Sequence, residues 1–426
     1  MSGTSFTLTA KADRITTPDG GSIYFWGFTS GSGRPQYPGP TLKVTSDGTA
    51  SVSVTVVNAL PAPLRQRVSL AVAGISGVVA TCSGPATLCV QGPIALEAAS
   101  GGSVTYTFVA SRPGTFLYNS ASQPDLQVEM GLAGALVVYP AGRTDQAYDD
   151  DPPADASGNP AGSQYEQEYL FFLSEMDSEI HDLVERKGPQ AAYDSGRLAY
   201  YFPNYWFING RNAPDTMAES GVSRLPTQPY GALTRTHPGD RVLMRVVGGG
   251  HDMHPFHHHG QHARVIAVDA FPLSSGLPGA KPFDLSHEVF TIPSLPGQTV
   301  DAILRWTGKG LGWDIYGHKA GDGSSCTASG PEGLDPVTHE YCADHRKPLP
   351  VVLPETLALT NGPFYSGSPF LGQVGLMPPG DGGLNPNAGY TYMWHSHNEK
   401  EITNYDIFPG GLMTMLVVEP PGTPIP

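Results

Sequence analysis

The sequence predicts an all-β fold of sandwich or barrel domains, and three features point to it. Gly (52) and Pro (41) make up about a fifth of the 426 residues without a strict period. Short runs rich in Val, Thr, Tyr and Phe recur along the chain, many alternating apolar with polar residues. A single segment reads as helix, so runs of strands are not interleaved with helices as in an α/β protein. The length suggests two or three domains.

Residues 1–142 read as strand after strand. Ser5–Ala10, Gly21–Trp26, Thr41–Thr45, Ala50–Val57, Ser103–Phe108, Gly114–Tyr118 and Ala135–Tyr139 alternate or are rich in β-branched and aromatic residues. Pro38-Gly39-Pro40 and Asp47-Gly48 mark turns between them. Residues 143–165 read as a linker, because Tyr148 to Ser163 is acidic, Pro-rich and nearly empty of large apolar residues. The second domain, 166–426, opens with a strand at Glu168–Leu173. A short helix from Asp177 to about Lys187 follows, with Ile180, Leu183 and Val184 on one face. Strand patterning resumes at Arg241–Val247, Arg264–Asp269 and Thr299–Trp306, and Gly410–Glu419 closes the chain on a last strand. Residues from about 308 to 389 are rich in Gly and Pro and too long for an ordinary loop, so they read as an insertion.

Only 15% of residues are charged and the net charge is -15, which argues against nucleic acid as a partner. No window of about 18 apolar residues exists, so no membrane span is expected. The four cysteines form two local pairs, Cys82/Cys89 and Cys326/Cys342, in Gly-, Ser- and Thr-bearing loops. Two short-range disulfides and an oxidising compartment are expected, with four idle thiols in a cytosolic chain as the alternative. Met1-Ser-Gly-Thr-Ser-Phe-Thr-Leu8 reads as a first strand and not as a signal peptide. A mature secreted chain carrying a new initiator Met reconciles the two.

Half of the 14 histidines fall between His251 and His287, and six lie between His251 and His262. Alternate side chains share a face in an extended chain, so His257 and His259 point one way and His258 the other. His395 and His397 repeat the spacing after the apolar run Tyr390–Trp394. Two such strands side by side offer four imidazoles, a donor set for copper, zinc or iron. Crowding four imidazoles without a cation would demand hydrogen-bond partners for each, so a metal site is expected at His257, His259, His395 and His397. His254 reads either as an additional ligand or as a hydrogen-bonded core residue. His262 reads as a support for a ligand. His181, on the short helix, reads as a surface residue. His318, His339 and His345 could make a zinc site with Cys326 and Cys342, but the spacing fits no standard pattern and favours a disulfide loop with solvated histidines.

With both His-X-His pairs in view, the chain resembles the multicopper oxidases, which are built from cupredoxin domains. Pro38-Gly-Pro-Thr-Leu-Lys-Val44, Pro113-Gly-Thr-Phe-Leu-Tyr118 and Gly131-Leu-Ala-Gly-Ala-Leu-Val-Val138 resemble segments of the family's first domain. His254-Pro-Phe-His-His-His-Gly260 resembles the His-Pro-X-His-X-His-Gly signature of its last domain, and Trp394-His-Ser-His397 resembles the Trp-His-Cys-His that closes it. The resemblance implies two cupredoxin-like Greek-key domains where the family usually has three. It also marks what is missing. Ser69-Leu-Ala-Val-Ala-Gly74 stands where the family has Ser-Ile-His-Trp-His-Gly, and Tyr118-Asn-Ser-Ala121 where it has Tyr-His-Ser-His. Four of the eight histidines of a trinuclear copper cluster are therefore absent. Ser396 replaces the type 1 copper cysteine and Glu401 falls where its second histidine would be, leaving His254, with Met413 or Met415 as vestige of the axial ligand.

The function expected is that of a copper-binding oxidoreductase with one or two copper ions, no type 1 centre and no blue colour. Zinc is the lesser occupant, with Glu399 or Glu401 as base for a hydrolytic reading. Asn119 is a candidate for hydrogen-bonding a metal-bound water. Small-molecule reductants or oxygen species are the partners expected of an enzyme. A non-catalytic copper-binding or structural protein is the alternative. Two-domain relatives often form trimers with sites between subunits, and losing the first-domain ligands removes the main reason for that here, so a homo-oligomer stays an open expectation.

Overall fold

The structure is a computed structural model that describes residues 1–149, 162–314, 316–348, 367–368, 390–419 and 422–425. In the first domain two sheets face one another. One orders the strands Ser22–Thr29, Ser5–Thr16, Ala50–Asn58, Ser103–Ala110 and Val79–Cys82; the other orders Gly39–Ser46, Ala133–Pro140, Gly114–Asn119 and Ala71–Val72. Alternation drives this arrangement. Val52, Val54 and Val56 are fully buried while the residues between them are not. Ser5–Thr16 runs parallel to Ala50–Asn58, and Gly39–Ser46 parallel to Ala133–Pro140, so the connections cross between sheets in Greek-key fashion.

The second domain repeats the plan at larger size. One sheet orders Tyr205–Ile208, Gln167–Met176, Arg241–Gly248, Thr299–Arg305, Ala263–Val268 and Phe271–Pro272. The facing sheet orders Thr234–Thr236, Met413–Val418, Tyr390–Ser396, His254–His258 and Thr291–Ser294. Phe171, Val246, Phe256, Leu304, Tyr392 and Trp394 fill the space between them. Each such side chain removed from water stabilises the fold by roughly 1.5–3 kcal/mol. Both cysteine pairs are disulfides, Cys82–Cys89 and Cys326–Cys342.

Three expectations change once the chain is folded. The described ends of the linker are not loose: Ala147 and Tyr148 pack with Leu243, Ile266 and Phe283, and Ser163 is fully buried. The helix Ser178–Lys187 begins where expected, capped by the Asp177 carboxylate, which accepts from Glu179 N–H at 3.0 Å. It packs against the first domain, however, and Ile180 and Val184 join that domain's core. His181 shares the buried face and is not a surface residue: its Nδ1–H donates to the Tyr24 carbonyl, and its Nε2 lies 3.3 Å from Glu129. Of the insertion, 349–366 and 369–389 lie outside the described residues; Gly367–Ser368 pairs with the strand Tyr390–Ser396.

The domains meet over Leu117, Ala133 and Ala135 on one side and Phe172 and Val247 on the other. Beside this apolar contact Arg245 is fully buried, ion-paired to Glu168 and 3.4 Å from Asp301, with its Nη1 donating to Thr115 Oγ1 at 3.0 Å. Thr115 Oγ1–H in turn donates to Asp301 at 2.7 Å. Breaking a buried pair from one side strands the other charge. Asp301→Ala is expected to cost ~3–5 kcal/mol in urea unfolding; a loss under about 1 kcal/mol, the size of a surface pair, would contradict a buried charge cluster that supports the second domain.

Candidate metal centre

The strands His254–His258 and Tyr390–Ser396 are antiparallel neighbours, with Phe256 opposite Ser396, His257 opposite His395 and His258 opposite Trp394. Opposed residues in such a pair share a face. Hence His257 and His395 stand on one side of the sheet, and Phe256, His258, Trp394 and Ser396 on the core side. His259 and His397 continue the histidine face. Ring centroids lie 4.8 Å apart for His257 and His259, 4.9 Å for His257 and His397, 5.1 Å for His259 and His395, and 5.6 Å for His257 and His395. The closest approach is between His259 Nε2 and His395 Nε2, at 3.2 Å. Gly260, at φ +105°, turns the chain away at once; a Cβ there would meet the Tyr392 ring at 2.9 Å.

The His395 ring is oriented for its lone pair to face His259. His395 Nδ1 must be a donor, because it lies 2.7 Å from the Ser396 carbonyl, which can only accept. That leaves Nε2 unprotonated and directed at His259. Thr291 Oγ1 holds His257 Nδ1 at 2.8 Å, the kind of outer contact that orients a metal ligand. Burial and then the neighbouring His395 and His397 pull the His257 pKa down to about 4, and burial also lowers that of His395. Both are neutral near pH 7, the form that coordinates metals. The donor set fits a metal ion: the 3.2 Å gap suits one ion with metal–nitrogen bonds of about 2.0 Å between His259 and His395. His257 and His259 are 7% and 5% exposed, whereas His397 is exposed, so the site has a solvent edge.

His254 lies on the core face, and the structure gives it the second of its two readings. Its Nδ1–H donates to Glu401 at 2.9 Å and its Nε2–H to Glu175 at 2.8 Å, so the ring is an imidazolium without a lone pair for metal. Burial opposes that charge, but the hydrogen bonds to Glu175 and Glu401 outweigh it and push the pKa up to about 10. Ser396 Oγ–H donates to the same Glu401 oxygen at 2.6 Å, and Asn398 Nδ2–H to its other oxygen at 2.9 Å. Glu175 also accepts from Asp252 N–H at 3.0 Å and from Tyr201 Oη–H at 3.3 Å. His254, Glu175 and Glu401 thus form a buried carboxylate–imidazolium–carboxylate group. Glu401, on the wrong face, cannot act as a base or a ligand at the four histidines.

Other expected participants stand aside. His262 stacks on Phe290 at 3.7 Å, and Phe290 separately lies 6.4 Å from His257. His258 faces the core, where its Nε2 accepts from Ala263 N–H at 3.0 Å. Asn119 Nδ2–H donates to the Ser120 carbonyl at 2.9 Å. Met413 lies opposite His395 and Met415 opposite Met393, which puts both on the histidine face and not beside Ser396, so neither is a vestigial axial ligand. Sequence reasoning missed Glu175. The signal was an acidic residue in the run Phe171-Phe-Leu-Ser-Glu-Met176, where a buried carboxylate demands a partner.

These shifts have opposite consequences for stability. His254 titrates near 10 in the fold and near 6.5 unfolded, so its contribution is complete below pH 6.5 and is lost as pH rises toward 10. His257 and His258, lowered to about 4 and about 3, favour the fold above pH 6.5 and oppose it as pH falls toward those values. Stability of the metal-free protein should peak near neutral pH. His254→Gln is expected to lower it by ~3–5 kcal/mol and to flatten the decline from neutral to alkaline pH; an unchanged decline would refute the assignment.

The first domain carries the same strand pairing, Ala71 opposite Asn119 and Val72 opposite Tyr118, with methyls and a carboxamide in place of imidazoles. It contains no histidine. Even so, residues 32–143 match the family model described as "Multicopper oxidase". No curated protein matches the sequence. Among solved structures, the blue copper oxidase from Nitrosomonas europaea superposes with a TM-score of 0.55 at 18% identity, covering 97% of this chain and 85% of that one. The multicopper oxidase mgLAC superposes with a TM-score of 0.55 at 18% identity, covering 99% and 87%. Residues 32–143 are therefore similar to a multicopper oxidase domain, and along nearly its whole length the chain shares the all-β fold of these two solved oxidases.

Proposed function

We propose that this protein is a copper-dependent oxidoreductase whose site consists of His257, His259, His395 and His397, holds one or two copper ions and lacks a type 1 centre. The observation that carries this reading is the 3.2 Å approach of His259 Nε2 to His395 Nε2 across two paired strands. Copper there would supply one-electron chemistry; the chain supplies position. The strand pairing fixes the four rings on one face, and the hydrogen bonds of His257 and His395 fix two of their orientations. With Ser396, His254 and Glu401 in a metal-free polar group, copper held by the four histidines would exchange electrons directly with a small-molecule reductant or an oxygen species, and exposed His397 marks the approach. Zinc hydrolysis is disfavoured because Glu401 faces the core and Glu399 is exposed. The two disulfides support a location outside the cytoplasm.

A second reading, a non-catalytic copper protein, draws support from the burial of His257 and His259: a metal there would staple two strands. Elemental analysis is expected to find one or two coppers per chain, with no strong absorption near about 600 nm. His259→Ala with His395→Ala should remove most of the copper. Turnover of a phenol, a reduced metal ion or peroxide should disappear with the metal; if only thermal stability falls, the second reading stands. Three or more coppers per chain, or a blue band, would contradict both.

A further inference from the structure

We propose that Asp314, His318, Glu340 and His345 form a second metal site, for a divalent cation such as zinc, that ties the start of the insertion to its later segment around Glu340–His345. One ligand atom from each residue lies within 4.8 Å of all the others. His318 Nδ1 is 2.9 Å from Asp314 Oδ2 and 3.4 Å from Glu340 Oε1. His345 Nδ1 is 2.7 Å from Glu340 Oε1 and 3.7 Å from Asp314 Oδ2. Donors of a tetrahedral ion bound at about 2.0–2.2 Å lie about 3.4 Å apart, inside the measured range. Two imidazoles and two carboxylates suit zinc better than the harder magnesium or calcium. Cys326 and Cys342, the partners considered from sequence, are tied to each other and cannot bind metal.

A second observation points to a ligand. Glu340 is 5% exposed, and its Oε2 accepts no hydrogen bond among the described residues. A buried carboxylate with an oxygen that lacks a donor is costly, and a cation bound beside Glu340 Oε1 would offset the burial of that charge. The site is also built to stay in place. Tyr316 N–H donates to Asp314 Oδ1 at 2.8 Å and Arg346 N–H to its Oδ2 at 2.8 Å. The short helix Cys342–Asp344, held by the disulfide, ends at His345.

The test uses full-length protein in which His257, His259, His395 and His397 are replaced by Ala, so the outcome does not depend on the function proposed above. Titrated with Zn²⁺ alone, this protein should bind one equivalent, and Co²⁺ should give visible ligand-field bands. Adding His318→Gln and His345→Gln should abolish both. In the unsubstituted protein, which needs no variant to fold, Zn²⁺ should block diethyl pyrocarbonate modification of His318 and His345, mapped by mass spectrometry. Zinc stoichiometry indifferent to the two Gln substitutions, or undiminished modification in the presence of Zn²⁺, would overturn the proposal.

Discussion

The period of two along a β-strand is the constraint from which the site follows. Because His254–His258 and Tyr390–Ser396 pair with His257 opposite His395, odd-numbered residues of both strands share a face and even-numbered ones share the other. One sheet thereby separates two chemistries. Four imidazoles collect on one side, while His254 and Ser396 are carried to the core side beside Glu175 and Glu401. A slip of one residue in either strand would turn His257 or His395 into the core and expose Phe256 or Trp394. The hydrophobic core therefore enforces the register that gathers the histidines on one face.

The core face shows how a buried imidazolium can be held inside a β-sandwich. A lone buried imidazolium would be expensive, and so would two buried carboxylates. Together, with Ser396, Asn398 and Tyr201 satisfying the remaining oxygen positions, they form a closed polar group that pins three segments of the second domain. Ser396 fits this arrangement because a hydroxyl donates to Glu401, which a copper-bound thiolate could not do. The first domain shows the outcome without such a group or any imidazole. Its equivalent strand ends carry Ala71, Ala73, Asn119 and Ala121, and it contributes walls and interface but no ligands.

Much of this was legible in the sequence, and the limits are physical. Strands such as Ala50–Asn58 announce themselves because one face is buried and the alternation is local. The four histidines were legible for the same reason. Partners distant in the chain were not. Nothing near His254 indicates that Glu175 and Glu401 will bracket it, and nothing on the helix Ser178–Lys187 shows that His181 will be covered by another domain. His318 and His345 drew notice, but next to the cysteines; their proximity to Asp314 and Glu340 depends on how the insertion folds back.

The most direct test of the central claim is anomalous diffraction at the copper edge from crystals of copper-loaded protein. The account predicts a peak between His259 Nε2 and His395 Nε2, with none beside Ser396 and His254. Copper bound at His254, or crystals loaded with copper that show no peak among the four histidines, would contradict it.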